Sequence, residues 1–462
     1  MININKSTKI NIRDKKITVI GLGISGKAAS ILANHLGAIV FASDLNSNDE
    51  VNLNAMELIH DHHISTETGL HSQKIYNSDL WVLSPGISID SKIVKIAYKK
   101  NIPIVSEIEF ASWYTKSPII GITGSNGKTT TTHILHKMFQ TSEIKGVMAG
   151  NVGIPFSECV LNEILKPTKK LLYLLEVSSF QLEFISTLRP IIAIYTNISE
   201  DHLDRHISMQ RYINMKMRLI KNFKKTSTVI YNEDDIILKS SFKNIPFRKI
   251  PFSIKTSNGS LCIKDGLIYH KGTKDILIDV QDLNLSGEHN LYNYLAAATC
   301  AKLYGLKNKR INTALKTFDG VPHRLEYIST IDGVEYINDS KATNINSVIV
   351  AINTYDRPLI LILGGYDKGA DFRLLLSHIK SNSVKTIITY GEAGEQIKTA
   401  IGDAVRSIKK VDLNSAVKTA HLIAQPGDIV LLSPGCASFD QFSNFEARGD
   451  FFKSIVRGLS SL

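Results

Sequence analysis

Three apolar runs along the chain end in glycine. Ile17–Ile20 leads into GLGISG, Pro118–Ile120 into GITGSNGKTT, and Pro358–Leu363 into GGYDKGADF. Short runs of this kind read as buried strands, and the glycines after them as turns or phosphate-type loops. Further apolar runs end at Asp44 (VFASD), at Ser84-Pro85-Gly86 (LWVLSPG), at Val177 (LLYLLEV, from Leu171) and at Tyr195 (from Ile191). Strands alternating with helical patterns predict an α/β chain with parallel sheets. In residues 225–285 short apolar runs alternate with Gly and Asn turns instead, which predicts β-rich decoration. Over 208–221 the apolar residues Met209, Tyr212, Ile213, Leu219 and Ile220 predict a helix.

The first section closes near residue 112, the middle one is longest, and the third opens around GVPHRLE. This gives domains 1–112, 113–321 and 322–462, and at roughly 150 residues per domain the 462 residues also make about three. Hydrophobic residues are 43% and charged residues 21%, which excludes a disordered chain. No apolar run nears the roughly 18 residues of a bilayer span. The start, MININKSTKINIRDKK, has no apolar segment resembling a secretory signal, so a cytoplasmic protein is expected. Cys159, Cys262, Cys300 and Cys436 form no CxxC pair and read as buried free thiols. The net charge of +11 is interspersed, with no basic tail or aromatic-studded stripe, so no nucleic-acid partner is expected.

The sharpest local signal is Gly121 to Thr130. Glycines at 124 and 127 let the backbone around Ser125 and Asn126 wrap a polyphosphate, with the next helix N-terminus facing it. Lys128 is placed to reach terminal phosphates, and the hydroxyl of Thr129, ahead of Thr130, to hold Mg²⁺. The pattern departs from strict GxxxxGK[ST], because Ile122 stands where a glycine is required and Gly121 sits one residue early. Glu176 lies inside an apolar strand, where a carboxylate needs a metal or an ion-pair partner. His202 follows a strand end in NISEDHLDRH and is a candidate metal ligand. Lys216 falls within the apolar stripe of the 208–221 helix. Its spacing alone favours a lysine that snorkels to solvent, although a desolvated amine there would have a lowered pKa and could add CO₂. GLGISG matches GxGxxG with Asp44 closing the next strand, a weak signal that suits either a dinucleotide or a diphosphate-bearing substrate.

Taken in order, GITGSNGKTT, GNVGIP, EVSSFQLE, NISEDHLDRH, SGEHNLYN, GVPHRLE, NDSKATN and LLSPGCASFDQF resemble the Mur ligase family over essentially the whole chain. The resemblance implies three domains: a Rossmann-like N-terminal domain for a UDP-linked substrate, a central P-loop ATPase with a mainly parallel sheet, and a Rossmann-like C-terminal domain that brings the amino acid. EVSSFQLE and SPGCASFDQF imply the branch that adds D-glutamate to UDP-N-acetylmuramoyl-L-alanine, in peptidoglycan precursor synthesis.

By the same likeness, Gly124, Ser125, Asn126, Gly127, Lys128, Thr129 and Thr130 hold ATP. Asn290 and Asn293 lie near the adenine, and Arg324 and Asp339 near the nucleotide's sugar and phosphates. Thr129, Glu176, His202 and Lys216 serve two Mg²⁺, with Lys216 carbamylated. Ile24, Ser25, Asp44, Ser84 and Gly86 take the uridine end, and Asn151 contacts substrate and nucleotide. Lys341, Thr343, Lys368, Ser438 and Phe445 surround D-glutamate. Where the family has a basic residue two places after the Asp44 position, this chain has Asn46. The implied catalytic set is Lys128, Lys216, His202 and Lys341, acting on small molecules in a monomer. The implied reaction activates a carboxylate as an acyl phosphate, which the amine then attacks. A ligase for another amino acid, and a P-loop switch protein with NAD at the first loop, are the alternatives.

Overall fold

A computed structural model describes residues 10–167, 170–201, 203–256, 259–272, 275–285, 287–367, 369–381 and 384–459. Its first sheet is formed by β1 (Lys16–Ile20), β2 (Ile39–Asp44), β3 (Ser65–Thr68), β4 (Leu80–Leu83) and β5 (Ile104–Ser106). Their order is β3-β2-β1-β4-β5 and every pairing is parallel. Parallel neighbours require crossovers, and the helices Ile24–His35 and Lys92–Lys99 supply two of them. Val19, Ala42, Val82 and Val105 are fully buried, as strands covered on both faces demand.

The second sheet holds β6 (Ile119–Thr123), β7 (Lys145–Gly150), β8 (Leu171–Glu176), β9 (Ile192–Tyr195), β10 (Thr228–Asn232) and β11 (Arg248–Phe252). All are parallel, in the order β11-β10-β9-β6-β8-β7. The expectation for residues 225–285 is corrected here, since β10 and β11 extend this parallel sheet. Only β12 (Leu261–Lys264), β13 (Leu267–His270) and β14 (Ile276–Asp279) form a separate antiparallel piece. Asp265-Gly266 joins β12 to β13 with φ of 51° and 76°, a turn whose twist matches that of the strands.

The last sheet contains β15 (Glu326–Ile331), β16 (Val334–Asn338), β17 (Leu359–Gly364), β18 (Val384–Tyr390), β19 (Arg406–Lys409) and β20 (Ile429–Gly435). It runs β15-β16-β20-β17-β18-β19, parallel except for the β15–β16 hairpin. The described residues form two compact units, one reaching Asn284 and including Glu288–Phe318, the other comprising Leu285–Gly287 and the chain from Asp319 onward. Within the first unit the two sheet regions share one apolar core. Glu107, fully enclosed at the start of the helix Glu107–Ser112, accepts a hydrogen bond from the Ser157 N–H. Burial pushes that carboxyl up to about 7.

Cys159, Cys262, Cys300 and Cys436 are buried free thiols. Burial pushes the thiols of Cys159 and Cys436 up to about 12. Among the described residues no helix is long and apolar enough to cross a membrane.

Candidate active site

β6 delivers the chain into the glycine loop, and the helix Lys128–Met138 starts directly after it. Gly124 has φ 152° and a Cβ there would fall 1.9 Å from Thr196 Oγ1; Gly127 has φ 82° and its Cβ would fall 2.3 Å from Asn293 Oδ1. Both positions therefore require glycine. Thr196, Asn197 and Ser199, just after β9, hold the loop in shape. Asn126 N–H donates to Asn197 Oδ1 (2.8 Å), Thr196 Oγ1 donates to the Asn126 carbonyl (2.5 Å), and Ser199 N–H donates to Ser125 Oγ (2.9 Å). Gly127 provides no side-chain cap, so the first N–H groups of the helix face the loop. Lys128 Nζ folds back onto the carbonyls of Gly124 and Ser125, at 2.8 Å each. Thr129 is half-buried and Thr130 buried.

Glu176 ends β8 and is 1% exposed. Asn151 Nδ2 donates to its Oε1 at 2.8 Å, while Oε2 is buried without a hydrogen-bond partner. Lys216 is 2% exposed, so the snorkelling reading is wrong. The helix Met209–Met217 turns the lysine inward. Its Nζ donates to the Gly124 carbonyl (2.8 Å) and lies 4.5 Å over the Tyr212 ring. Burial, and then the Lys128 charge, hold its pKa well below the lysine range; Asp201 and Glu176 pull the other way. Asn290 and Asn293 are buried in the helix Glu288–Leu303, where Asn293 Oδ1 accepts from Thr131 Oγ1 at 3.3 Å. Together the loop, Asn151, Glu176, Lys216, Asn290 and Asn293 form one polar cradle. His202 lies outside the described residues.

At the first sheet, Asp44 Oδ2 accepts from the Leu22 N–H inside GLGISG (2.6 Å) and Oδ1 accepts from Asn46 N–H (2.8 Å). Ser84 Oγ donates to the Gly21 carbonyl (3.1 Å). These bonds bring Asp44 and Ser84 beside the first turn of the helix carrying Ile24 and Ser25; Gly86 is exposed just beyond. Arg205, missed from sequence, ties this end to the central sheet. It donates to Glu183 through Nε and one amino group (3.2 and 2.9 Å) and to the carbonyls of Pro85 (3.1 Å) and Ile87 (2.8 Å). It also covers the Phe180 ring at 4.2 Å. His206, likewise missed, meets Ser179 Oγ at 2.9 Å and stacks on Phe180. EVSSFQLE and NISEDHLDRH are thus knitted together. The available signal was their density of complementary polar residues.

In the second unit the candidates gather at the C-terminal ends of parallel strands, where open α/β sheets hold ligands. Asp339, just after β16, accepts from Leu325 N–H (3.2 Å) and Ser433 Oγ (2.8 Å). Burial pushes its carboxyl up to about 6 against the opposing pull of Arg324. Lys341 Nζ sits 5.3 Å from the Phe445 ring centre, Thr343 is half-buried, and Ser438 is buried. Lys368 lies outside the described residues. Arg448 was not anticipated. It is fully buried, and its guanidinium bonds Ser340 Oγ (2.9 Å) and the carbonyls of Ser340 (2.8 Å), Cys436 (3.1 Å) and Ala437 (3.2 Å). It clamps the loops carrying Lys341 and Ser438.

Among the described residues no three His, Cys, Asp or Glu side chains form a ready-made metal site. A hard cation beside phosphates needs fewer protein ligands, however, because phosphate and water oxygens complete its shell. The partnerless Glu176 oxygen and the Thr129 hydroxyl fit that donor chemistry.

Three family models match in order: the MurD N-terminal domain over residues 16–93, the Mur ligase middle domain over 122–301, and the Mur ligase glutamate ligase domain over 323–436. The UDP-N-acetylmuramoylalanine–D-glutamate ligase of Chlorobium limicola is 38% identical, covering 98% of this chain and 100% of its own. That of a Thermoanaerobacter species is 39% identical, covering 97% and 100%. Among solved structures, UDP-N-acetylmuramate-alanine ligase of Thermotoga maritima superposes with a TM-score of 0.62 at 17% identity, covering 97% of this chain and 100% of its own. A pseudomurein peptide ligase from Methanothermus fervidus gives 0.58 at 18%, covering 96% and 100%.

Proposed function

The chain belongs to the Mur ligase family, and from that premise we propose that it joins D-glutamate to UDP-N-acetylmuramoyl-L-alanine, with ATP converted to ADP and phosphate, in cytoplasmic peptidoglycan precursor synthesis. The observation that carries the reading is the cradle of Gly124–Gly127, the uncapped helix start and the partnerless oxygen of Glu176. In this reading the N–H groups of Gly124 to Thr130 wrap the ATP phosphates. Lys128 exchanges two loop carbonyls for the terminal phosphate, and Asn290 and Asn293 flank the adenine. Arg324 and Asp339 serve the nucleotide's sugar and phosphates. Asp44, Ser84, Gly86, Ile24 and Ser25 hold the uridine end, and Asn151 lies between substrate and nucleotide. Lys341, Thr343, Lys368, Ser438 and Phe445 orient D-glutamate.

Thr129, Glu176, His202 and Lys216 would hold two Mg²⁺, which when bound supply charge neutralisation between the nucleotide and the approaching carboxylate. The lactyl-alanine carboxylate attacks the γ-phosphorus and ADP leaves, giving an acyl phosphate. The D-glutamate amine then attacks the acyl carbon, and phosphate departs from the tetrahedral intermediate. Lys216 adds CO₂ to become a carbamate with loss of a proton; its burial favours the neutral amine this addition needs. ¹³C-bicarbonate labelling should give a carbamate resonance that is absent from Lys216→Arg.

The deciding experiment is phosphate release from ATP and Mg²⁺ with UDP-N-acetylmuramoyl-L-alanine, adding D-glutamate, L-glutamate or neither. Release confined to D-glutamate, with a product heavier by one glutamate residue, is expected. Release regardless of amine would leave a nucleotide-hydrolysing switch, and turnover with a different amine would move the specificity.

A further inference from the structure

At the opposite end of the central sheet the first unit carries a second cleft, of about 940 Å³. It opens beside Pro118–Ile119, Pro190–Ile191 and Thr226–Ser227, where β6, β9 and β10 begin, whereas the glycine loop leaves the far end of β6. Lys116, Arg189, Lys221 and Lys224 line it and are exposed. Among the described residues no carboxylate lines it, and none of these four side chains is in an ion pair.

Two carboxylates bond residues of the cleft wall, and both are already occupied. Glu109 is fully buried and accepts from Trp113 Nε1 (2.8 Å), Thr187 N–H (2.7 Å), Thr187 Oγ1 (2.6 Å) and Leu188 N–H (2.8 Å), in the field of Arg218. Glu163 accepts from Thr115 (2.6 Å), Ser117 (2.7 Å) and Tyr173 (2.9 Å). Lysines near helix ends can simply complement helix dipoles. The helix Glu107–Ser112 and the turn Arg218–Ile220 both end at this cleft, but two such ends bring together roughly one negative charge against four positive. Half-buried Trp113 and Phe223 add flat apolar walls. Concentrated, unpaired cations in a cleft attract anions over several ångströms.

We propose that this cleft binds a polyphosphate-bearing small molecule, at a site separate from the ATP cradle. The proposal goes beyond the ligase reading and does not depend on it, since its test measures binding alone. It also gives a use to part of the +11 net charge.

The test is titration of the full-length protein with inorganic tripolyphosphate, ADP or UDP, followed by calorimetry and tryptophan fluorescence. The chain has two tryptophans. Trp81 is fully buried and bonded to the Ile75 carbonyl, so Trp113 at the cleft is the reporter. Two tripolyphosphates per chain are expected, one of them quenching Trp113. Arg189→Glu/Lys221→Glu should lose the quench or weaken it at least ~tenfold, while retaining the other site and turnover at saturating substrate. Lys128→Ala should keep the quench. Should the reversal variant misfold, Lys116→Gln/Lys224→Gln serves in its place, with a smaller loss. ADP or UDP quenching Trp113 at a lower concentration than tripolyphosphate would assign a nucleotide stacked on Trp113 or Phe223, and equal quench midpoints would assign the phosphates alone. No quench in the parent protein, a quench that survives the charge reversal, or one that vanishes with Lys128→Ala would overturn the proposal.

Discussion

Lys128 and Lys216 both donate to the carbonyl of Gly124, so two amines meet at a residue whose backbone only glycine adopts easily, and the Lys128 charge helps burial to lower the pKa of Lys216. Gly127 is equally constrained, by its φ and by Asn293. Gly127→Ala should cost about 2 kcal/mol from the left-handed backbone alone, read as a melting temperature several degrees lower, and should weaken ATP binding at least ~tenfold. The loop was legible because its chemistry is local: glycines, lysine and hydroxyls adjacent in sequence. Glu176 was legible because a carboxylate in an apolar strand is anomalous on its face. Lys216 was misread on spacing, because a long side chain on an apolar stripe can point either way and only the packed neighbours decide. Arg448 left a comparable trace, a cation one turn before Phe452 within the helix Phe445–Leu459.

Elements are held together by side chains that also shape the site. Arg205 joins Glu183, after β8, to the carbonyls that follow β4, and Glu183 is only 3% exposed. Arg205→Ala should therefore destabilise by about 3 kcal/mol, mainly by stranding a buried carboxylate, and should raise the KM for the UDP substrate. Adding Glu183→Gln should restore much of the melting temperature but not the KM, which separates pairing from positioning. The Glu107 contact to Ser157 is another junction between elements. Its folded pKa of about 7 lies above the ordinary 4.5, so its contribution to stability is complete below 4.5 and is lost as pH rises through 7. Glu107→Gln should melt higher than the parent near pH 8, by at most about 3 kcal/mol of stability, and the gain should shrink below about pH 5. Such junctions were not legible from sequence, because their partners lie far apart in the chain and neither residue is unusual alone. Strand positions were legible, and β10 and β11 were missed because their short, Asn-punctuated runs resemble a hairpin pattern.

At the scale of the whole molecule, the second unit has its own six-stranded sheet and two apolar clusters flanking it. A fragment spanning 319–462 should fold alone and unfold in a single cooperative denaturant transition; a gradual, non-cooperative loss of signal would show that it depends on the rest of the chain. The domain count was legible from length and motif order, whereas the single core shared by the first two sheets was not. The four enclosed cysteines turn this architecture into a clock. Their sulfurs are shielded and held protonated, so an alkylating reagent can react only when the surrounding structure opens. Cys159, Cys262 and Cys300 belong to one unit and Cys436 to the other. Mass-resolved labelling of the unaltered protein would thus time the opening of each half independently, and added ATP should slow whichever half grips it.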